Sequence, residues 1–353
     1  MRKSYFLSLF LLFQIVLLQI LPYFPEQVET LYSHTLYPIF SRFLRSSLGK
    51  IPFSVGDVLY FILILFLIRW VWNLKKSWLS NRKKTILGIL NFCSVLYFCF
   101  HFLWGYNYYR QPLHEKLQLQ KEYSNEDLLL FTEKLIVKTN AIHHQITGVK
   151  NKKMMIPYSA AAIFKMNQNG YDNLAKEYPF LKYEKASIKK SLWSTPLTYM
   201  GFGGYLNPFT NEAQVNSLGP MYSLAMTTNH EMAHQIGYAS ESECNFIGFM
   251  ASTKNTNPYI KYSGYSLALR YCLANWQARD EKQYQILLKK INPGIIQNYK
   301  ESIAFWEQYD TFIDKAFHAF YDQFLKLNQQ QDGLNSYSKY VDLMVNYYKD
   351  KPL

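Results

Sequence analysis

Residues 227–246 read TTNHEMAHQIGYASESECNF and place two histidines and three glutamates within twenty positions. His230, Glu231 and His234 form the pattern H-E-x-x-H. On a helix, positions i and i+4 lie on one face, so both imidazoles can reach one metal ion. Glu231 follows the first histidine, where it can take a proton from a water activated by the metal. The stretch therefore predicts a zinc-binding helix with Glu231 as the general base of a hydrolase.

The sequence around the motif favours a helix with one buried face. Pro220 can occupy its first turn, and Gly237 stands where helices commonly end in a left-handed residue. Small or apolar side chains recur every fourth residue on the face opposite the histidines, at Leu224, Thr228, Met232 and Ile236. The helix can thus bury one face and present the other to a cleft.

A zinc site with an open position needs three protein ligands, and no third histidine follows nearby. Glu241 and Glu243 are the candidates, and we favour Glu241 for two reasons. The pattern Ser240-x-x-Glu243 has the form of a capping box, which gives Glu243 a structural task. Asn245 lies four residues after Glu241, on its own helical face, and can hydrogen-bond the metal ligands.

The predicted zinc ligands are therefore His230, His234 and Glu241, with Glu243 as the alternative to Glu241.

Three segments are long and apolar enough to span a bilayer, at about residues 5–24, 54–71 and 85–104. The first segment is followed by bulky residues and not by a small-x-small cleavage site, so we interpret it as an uncleaved anchor. The loop NLKKSWLSNRKK, residues 73–84, has five basic residues in twelve, which predicts a cytoplasmic location for it and for the N-terminus. Everything after Trp104 is then predicted to lie outside the cytoplasm.

The charge distribution argues against a nucleic-acid partner. The formal net charge is +13, and the first 104 residues hold eleven basic and three acidic residues, a net +8. Because the basic excess surrounds apolar segments, it fits a membrane protein better than a nucleic-acid footprint.

The exported part is predicted to be mainly α with a small sheet, an α+β class. A helix begins at Ser124 or Asn125, and residues 198–216 are predicted to form a strand pair, or a strand and a turn. Further helices are predicted at roughly 221–236, 241–252, 264–279, 297–326 and 335–349. We divide the chain into a membrane anchor, residues 1–104, and an extracytoplasmic domain, residues 105–353.

Other candidate residues give weaker signals. Cys244 and Cys272 could pair outside the cell, but two buried free thiols is the interpretation we prefer. His143 and His144 are adjacent and are predicted to lie on the surface, and His318 is predicted to be a packed or exposed helix residue. A donor for the developing oxyanion is also needed. Its candidates, by residue type alone, are Tyr262, Tyr265 and Tyr337.

Three motifs together resemble a bacterial family called domain of unknown function 3810: WGYNYYRQPL (104–113), GGYLNPFTNEAQVN (203–216) and NHEMAHQIGYASESECNF (229–246). The resemblance covers nearly the whole chain. It implies a membrane-anchored, zincin-like metallopeptidase domain with an HExxH helix and a following glutamate, matched here by His230, Glu231, His234 and Glu241. Cys244 departs from the alanine expected there.

We therefore expect a multi-pass protein of the bacterial cell membrane that is anchored by three spans and uses Zn²⁺ to hydrolyse peptide or protein substrates outside the cytoplasm. An edge strand formed by FGGYLNPFT, residues 202–210, would bind the substrate backbone. Two alternatives remain: a non-catalytic membrane receptor or scaffold with a structural zinc, and an amidase acting on a cell-wall component.

Overall fold

The computed structural model describes residues 3–330, 333 and 339–353, and the chain is 73% helical. The mainly α class with a small sheet is thus confirmed. The helices are α1 (Lys3–Ile20), α2 (Pro25–Gln27), α3 (Tyr37–Leu48), α4 (Val55–Ser80), α5 (Arg82–Leu103), α6 (Leu113–Lys116), α7 (Asn125–Thr147), α8 (Ala160–Glu177), α9 (Ser194–Tyr199), α10 (Leu224–Gln235), α11 (Glu241–Lys254), α12 (Pro258–Arg279), α13 (Glu281–Leu288), α14 (Pro293–Glu307), α15 (Phe312–Leu327) and α16 (Lys339–Tyr348).

Three helices carry stretches long and apolar enough to cross a membrane, as predicted: Tyr5–Tyr23 on α1, Val55–Lys75 on α4 and Arg82–Leu103 on α5. Only 11% of each apolar window is buried within the protein. Exposed apolar surface on this scale is costly in water and is satisfied by lipid. The three helices therefore indicate a membrane protein.

The sheet has three strands in the order β1-β3-β2. Strand β2 (Gly204–Leu206) pairs antiparallel with β3 (Ala213–Val215), which confirms the predicted strand pair. Strand β1 (Ile188–Lys190), parallel to β3, was not predicted, because its three residues carry no alternation that could be read from sequence. Strand β2 lies at the edge of the sheet.

Two helix predictions were wrong at their boundaries. The single helix predicted at 297–326 is two helices, α14 and α15, separated at residues 308–311. Asp310 and Thr311 in this break are residue types that favour helix caps over helix interiors. Helix α12 begins at Pro258, six residues earlier than predicted, because the Asn257 side chain caps it by accepting from the Tyr259 N–H. Of the helix predicted at 335–349, residues 335–338 lie outside the described residues.

Helix α10 lies in the centre of the domain, packed against α8, α11, α12 and the sheet. Leu224, Thr228 and Met232 of its predicted apolar stripe are buried, and Ile236 packs against the main core. The expected place of Pro220 was wrong: it precedes a short 3₁₀ helix, Met221–Ser223, that leads into α10. The capped start of α7 at Ser124 is confirmed, and its hydroxyl accepts from the Asp127 N–H at 3.1 Å.

The segment between α1 and α4, residues 21–54, includes α2 and α3 and packs directly against the part of the chain that follows Trp104. The Tyr37 hydroxyl donates to the Gln235 carbonyl oxygen at 3.0 Å. The buried Glu29 carboxylate accepts two hydrogen bonds from the Arg110 guanidinium, at 2.9 and 2.7 Å. If α1, α4 and α5 each cross the bilayer, this segment and the domain must lie on the same side of it, since they touch.

Candidate metal centre and its cavity

Helix α10 brings His230 and His234 together, as the i, i+4 spacing predicts. Their Nε2 atoms lie 3.1 Å apart. His234 is buried and His230 is half-buried. The two rings therefore turn the same nitrogen toward one point beside the helix.

Gly237 ends this helix and reverses the chain. Its φ of +92° is in the left-handed region, as predicted, and an added Cβ would lie 2.9 Å from the Tyr37 ring. The Arg110 guanidinium donates to the Gly237 carbonyl oxygen at 2.6 Å. The Tyr37 ring and the Arg110 guanidinium thus hold this turn in place, and the chain after it returns to the histidines.

Glu241 is the carboxylate that meets the histidines. Its Oε2 lies 3.1 Å from His230 Nε2 and 3.8 Å from His234 Nε2. Each of the three residues offers one possible metal-ligand atom, and these three atoms lie within 4.8 Å of one another. Such a group can hold a metal ion. Burial raises the pKa of the Glu241 carboxyl, but hydrogen bonds from both imidazoles outweigh it and hold the pKa well below its usual value.

Glu243 faces away from this cluster, but not for the reason given by the sequence pattern. Ser240 makes no side-chain cap to the helix backbone, so the predicted capping box does not form. Glu243 instead accepts a hydrogen bond from the Leu113 N–H at 2.5 Å. The preference for Glu241 in the cluster thus rested partly on a wrong premise.

Each residue of the cluster is also held through a second polar atom. Asn245 Oδ1 lies 2.9 Å from His230 Nδ1, as expected for this helical face, and the Tyr238 carbonyl oxygen lies 2.8 Å from His234 Nδ1. The Tyr321 hydroxyl donates to Glu241 Oε1 at 2.7 Å. Hydrogen bonds of this kind fix the ring and carboxylate orientations of metal ligands.

Glu231 is buried beside the cluster, and its Oε2 has no hydrogen-bond partner among the described residues. Burial raises the pKa of its carboxyl to about 7, and the neighbouring imidazoles oppose this effect. Strand β2 approaches it closely: a Cβ on Gly204 would lie 2.7 Å from Glu231 Oε1. A buried carboxylate oxygen without a partner is unusual and indicates a site for a ligand or a proton.

A cavity of about 1110 Å³ opens onto the cluster. His230, Glu231, His234 and Glu241 line it together with the edge strand β2. Its remaining walls are largely apolar and aromatic and include residues of α4, α5, α9, α12, α14 and α15. The cleft predicted beside the motif is therefore present, and the edge strand lies in its wall.

Of the three tyrosines proposed from sequence, the two that the structure describes do not line this cavity. Tyr262 and Tyr265 are buried in the main core, and Tyr337 lies outside the described residues. Tyr321, which the sequence reasoning missed, lines the cavity and contacts Glu241. It comes from α15, eighty residues further along the chain, and no local pattern connects it to the motif.

The predicted locations of three further histidines and two cysteines can be compared with the structure. His143 is buried and its Nε2 contacts the Lys152 carbonyl oxygen at 2.9 Å, so its predicted surface location was wrong, whereas His144 is exposed. His318 lies on α15 in the cavity wall, 3.2 Å from Asp314. Cys244 and Cys272 are free and buried, as we preferred.

The donor set fits zinc. Two imidazole nitrogens and one carboxylate oxygen are the three-ligand set of open, catalytic zinc sites, whereas structural zinc usually has four ligands rich in cysteine. The neighbouring Cys244 thiol does not join the set, because it lies 3.2 Å from His234 Nδ1, the ring nitrogen that faces away from the cluster. The Glu231 carboxylate lies beside this set, and its Oε2 has no hydrogen-bond partner among the described residues.

The chain belongs to the family described as Protein of unknown function (DUF3810), which matches residues 32–345. The family predicted from the three motifs is thereby confirmed. No curated protein and no solved structure matches this chain.

Proposed function

We propose that the protein is a membrane-anchored, zinc-dependent peptidase with a zincin-like site. One observation carries this proposal: His230, His234 and Glu241 converge at the wall of a cavity, with the unpartnered carboxylate of Glu231 beside them. His230, His234 and Glu241 would hold the zinc. When bound, zinc would polarise a carbonyl oxygen and lower the pKa of water toward about 7.

Glu231 is the residue suited to move the proton. Its carboxylate is buried beside the three predicted ligands and lines the same cavity, so it can reach a water held there. It would accept a proton as water attacks the scissile carbonyl and then deliver it to the leaving amine. The carboxylate needs no rearrangement for this, because its Oε2 has no other described partner.

Strand β2 is suited to hold the substrate backbone. It is an edge strand, and Gly204, Tyr205 and Leu206 line the cavity that the metal cluster also lines. An extended peptide can add to such an edge through main-chain hydrogen bonds. This favours a peptide over a substrate without a regular backbone.

A structural zinc in a receptor or scaffold is the weaker alternative. Such a site usually has four protein ligands and no need for a general base. Here the described cluster has three candidate ligands and opens to a cavity of about 1110 Å³. No feature of the cavity favours a cell-wall amidase over a peptidase.

The test compares the wild-type protein with Glu231→Gln on a peptide library. The substitution keeps the size of the side chain and leaves all three predicted ligands in place. Zinc content should stay the same, and peptide hydrolysis should fall at least about a hundredfold, the lower range for general-base catalysis. Glu243→Gln, a buried glutamate whose bond to Leu113 an amide oxygen can keep, is the matched control and should retain activity.

If Glu231→Gln hydrolysed peptides at the wild-type rate, Glu231 would not be the general base. Zinc binding without hydrolysis of any library peptide would favour the scaffold.

A further inference from the structure

One wall of the cavity is built by a helix that is apolar enough to cross the membrane. Tyr60, Leu63, Ile64 and Leu67 of α4 line it, and their i, i+3, i+4, i+7 spacing places them on one helical face. All four lie within the candidate span Val55–Lys75. A peptidase for soluble peptides has no need of such a wall.

This apolar wall is continuous with the edge strand. The Tyr60 ring stacks on Tyr205 of β2, with centroids 6.1 Å apart, and meets the Phe209 ring edge-on at 6.3 Å. The Tyr205 hydroxyl also donates to Asp57, at the start of α4. A peptide held on β2 would therefore have one end next to the apolar wall.

Another part of the cavity wall is α15, which also has exposed apolar side chains. Phe317 and Phe324 line the cavity, whereas Phe312, Phe320 and Leu327 are exposed. An amphipathic helix with exposed aromatic residues suits the interfacial zone of a bilayer. Two helices with exposed apolar surface, α4 and α15, thus line the same cavity as the metal cluster.

We infer that the cleft takes an acylated peptide whose hydrocarbon chain lies along α4 while its backbone lies on β2. This inference rests on the proposed peptidase function and specifies its substrate class. An unwound membrane segment of a protein is the less favoured occupant, because Leu63, Ile64 and Leu67 offer no hydrogen bonds to a bare backbone. Unsatisfied backbone groups in an apolar environment are costly, whereas a hydrocarbon chain has no such groups.

The experiment uses the full-length Glu231→Gln protein in lipid nanodiscs, so that binding is read without hydrolysis. The probe is a mixture of short, random-sequence peptides with an N-terminal palmitoyl chain that carries a photoreactive diazirine. After illumination, mass spectrometry locates the labelled residues. We expect label on Leu63, Ile64 or Leu67, reduced by excess unlabelled palmitoyl peptide and not by the same peptide without the chain.

Leu67→Trp narrows the cavity along α4. Leu65→Trp, on the exposed side of α4, is the matched control. Loss of burial for only two methylene groups weakens binding by about tenfold, so Leu67→Trp should reduce the competed label by at least about that factor. Leu65→Trp should leave it unchanged. In a protein that keeps Glu231, Leu67→Trp should reduce the hydrolysis of palmitoyl peptides more than that of unmodified peptides.

Three results would overturn the inference: label on α4 that palmitoyl peptide does not displace, equal label loss in both tryptophan variants, or displacement only by a peptide joined to an all-leucine membrane helix. The first would mean ordinary lipid contact, and the last would identify a membrane segment as the occupant. Failure of the peptidase proposal looks different: the competed label on α4 would persist, and no peptide would be hydrolysed by the wild type.

Discussion

At the scale of single residues, the candidate centre depends on two glutamates that are two positions apart on α11 and face different partners. Glu241 meets His230 and His234, whereas Glu243 accepts from the Leu113 N–H. Both are buried, so burial does not separate them. The direction of each side chain does, and this makes the pair a sharp test of the ligand assignment.

We predict that Glu241→Gln weakens zinc binding by at least about a hundredfold, because loss of an outer hydrogen-bond partner alone costs 10–100-fold. Glu243→Gln should leave zinc affinity unchanged. The measurement is a competitive titration of the purified protein with a chelator. A larger effect of Glu243→Gln would reverse the assignment.

The histidine pair, its glycine turn and the contact from Asn245 could all be predicted from sequence, because each depends on helical spacing over a few residues. The capping box could not be relied upon. Ser240 has the right spacing to Glu243, yet the domain supplies Glu243 with the Leu113 N–H instead. A contact across 130 positions is invisible to a local pattern.

At the scale of elements, the site depends on the approach of β2 to α10. Gly204 stands where the two meet, and a Cβ there would lie 2.7 Å from Glu231 Oε1 and 2.8 Å from the Gln214 carbonyl oxygen. Neither the strand pair nor the carboxylate can move without disturbing the other.

We predict that Gly204→Ala displaces Glu231 and lowers kcat/KM for peptides by more than about tenfold, since a displacement near 1 Å can cost about a hundredfold. Zinc content should not change, because the three atoms nearest an added Cβ belong to Glu231 and Gln214 and not to a predicted ligand. Gly219→Ala is the control, since its Cβ would meet only a Trp306 atom at 3.9 Å. Equal activity of both variants would show that the contact with Glu231 is unimportant.

The elements with a strong local sequence signal could be predicted: the three apolar spans, the capped start of α7 and helix α10. Those that depend on distant partners could not. Strand β1 has three residues and exists through its pairing with β3. The role of α15 in the cavity, through Tyr321 and Phe324, depends on a fold that returns this helix to the motif.

At the scale of the whole molecule, the segment between α1 and α4 and the domain after Trp104 share one side of the membrane if all three helices cross it. Which side this is remains a prediction from the five basic residues of segment 73–84, where α4 ends and α5 begins. A reporter that is active only outside the cytoplasm should be active when fused after Arg110 and silent when fused near Ser80. The reverse pattern would place the candidate centre in the cytoplasm.

Zinc K-edge X-ray absorption on the purified full-length protein tests the proposed centre most directly, because it reports both the metal and its nearest atoms. We predict about one zinc per chain, surrounded by nitrogen and oxygen at roughly 2.0–2.2 Å, with imidazole scattering from His230 and His234. Sulfur at about 2.3 Å would instead make Cys244 a ligand and the zinc structural. That result, or a protein that retains no zinc, would contradict the proposed open hydrolytic site.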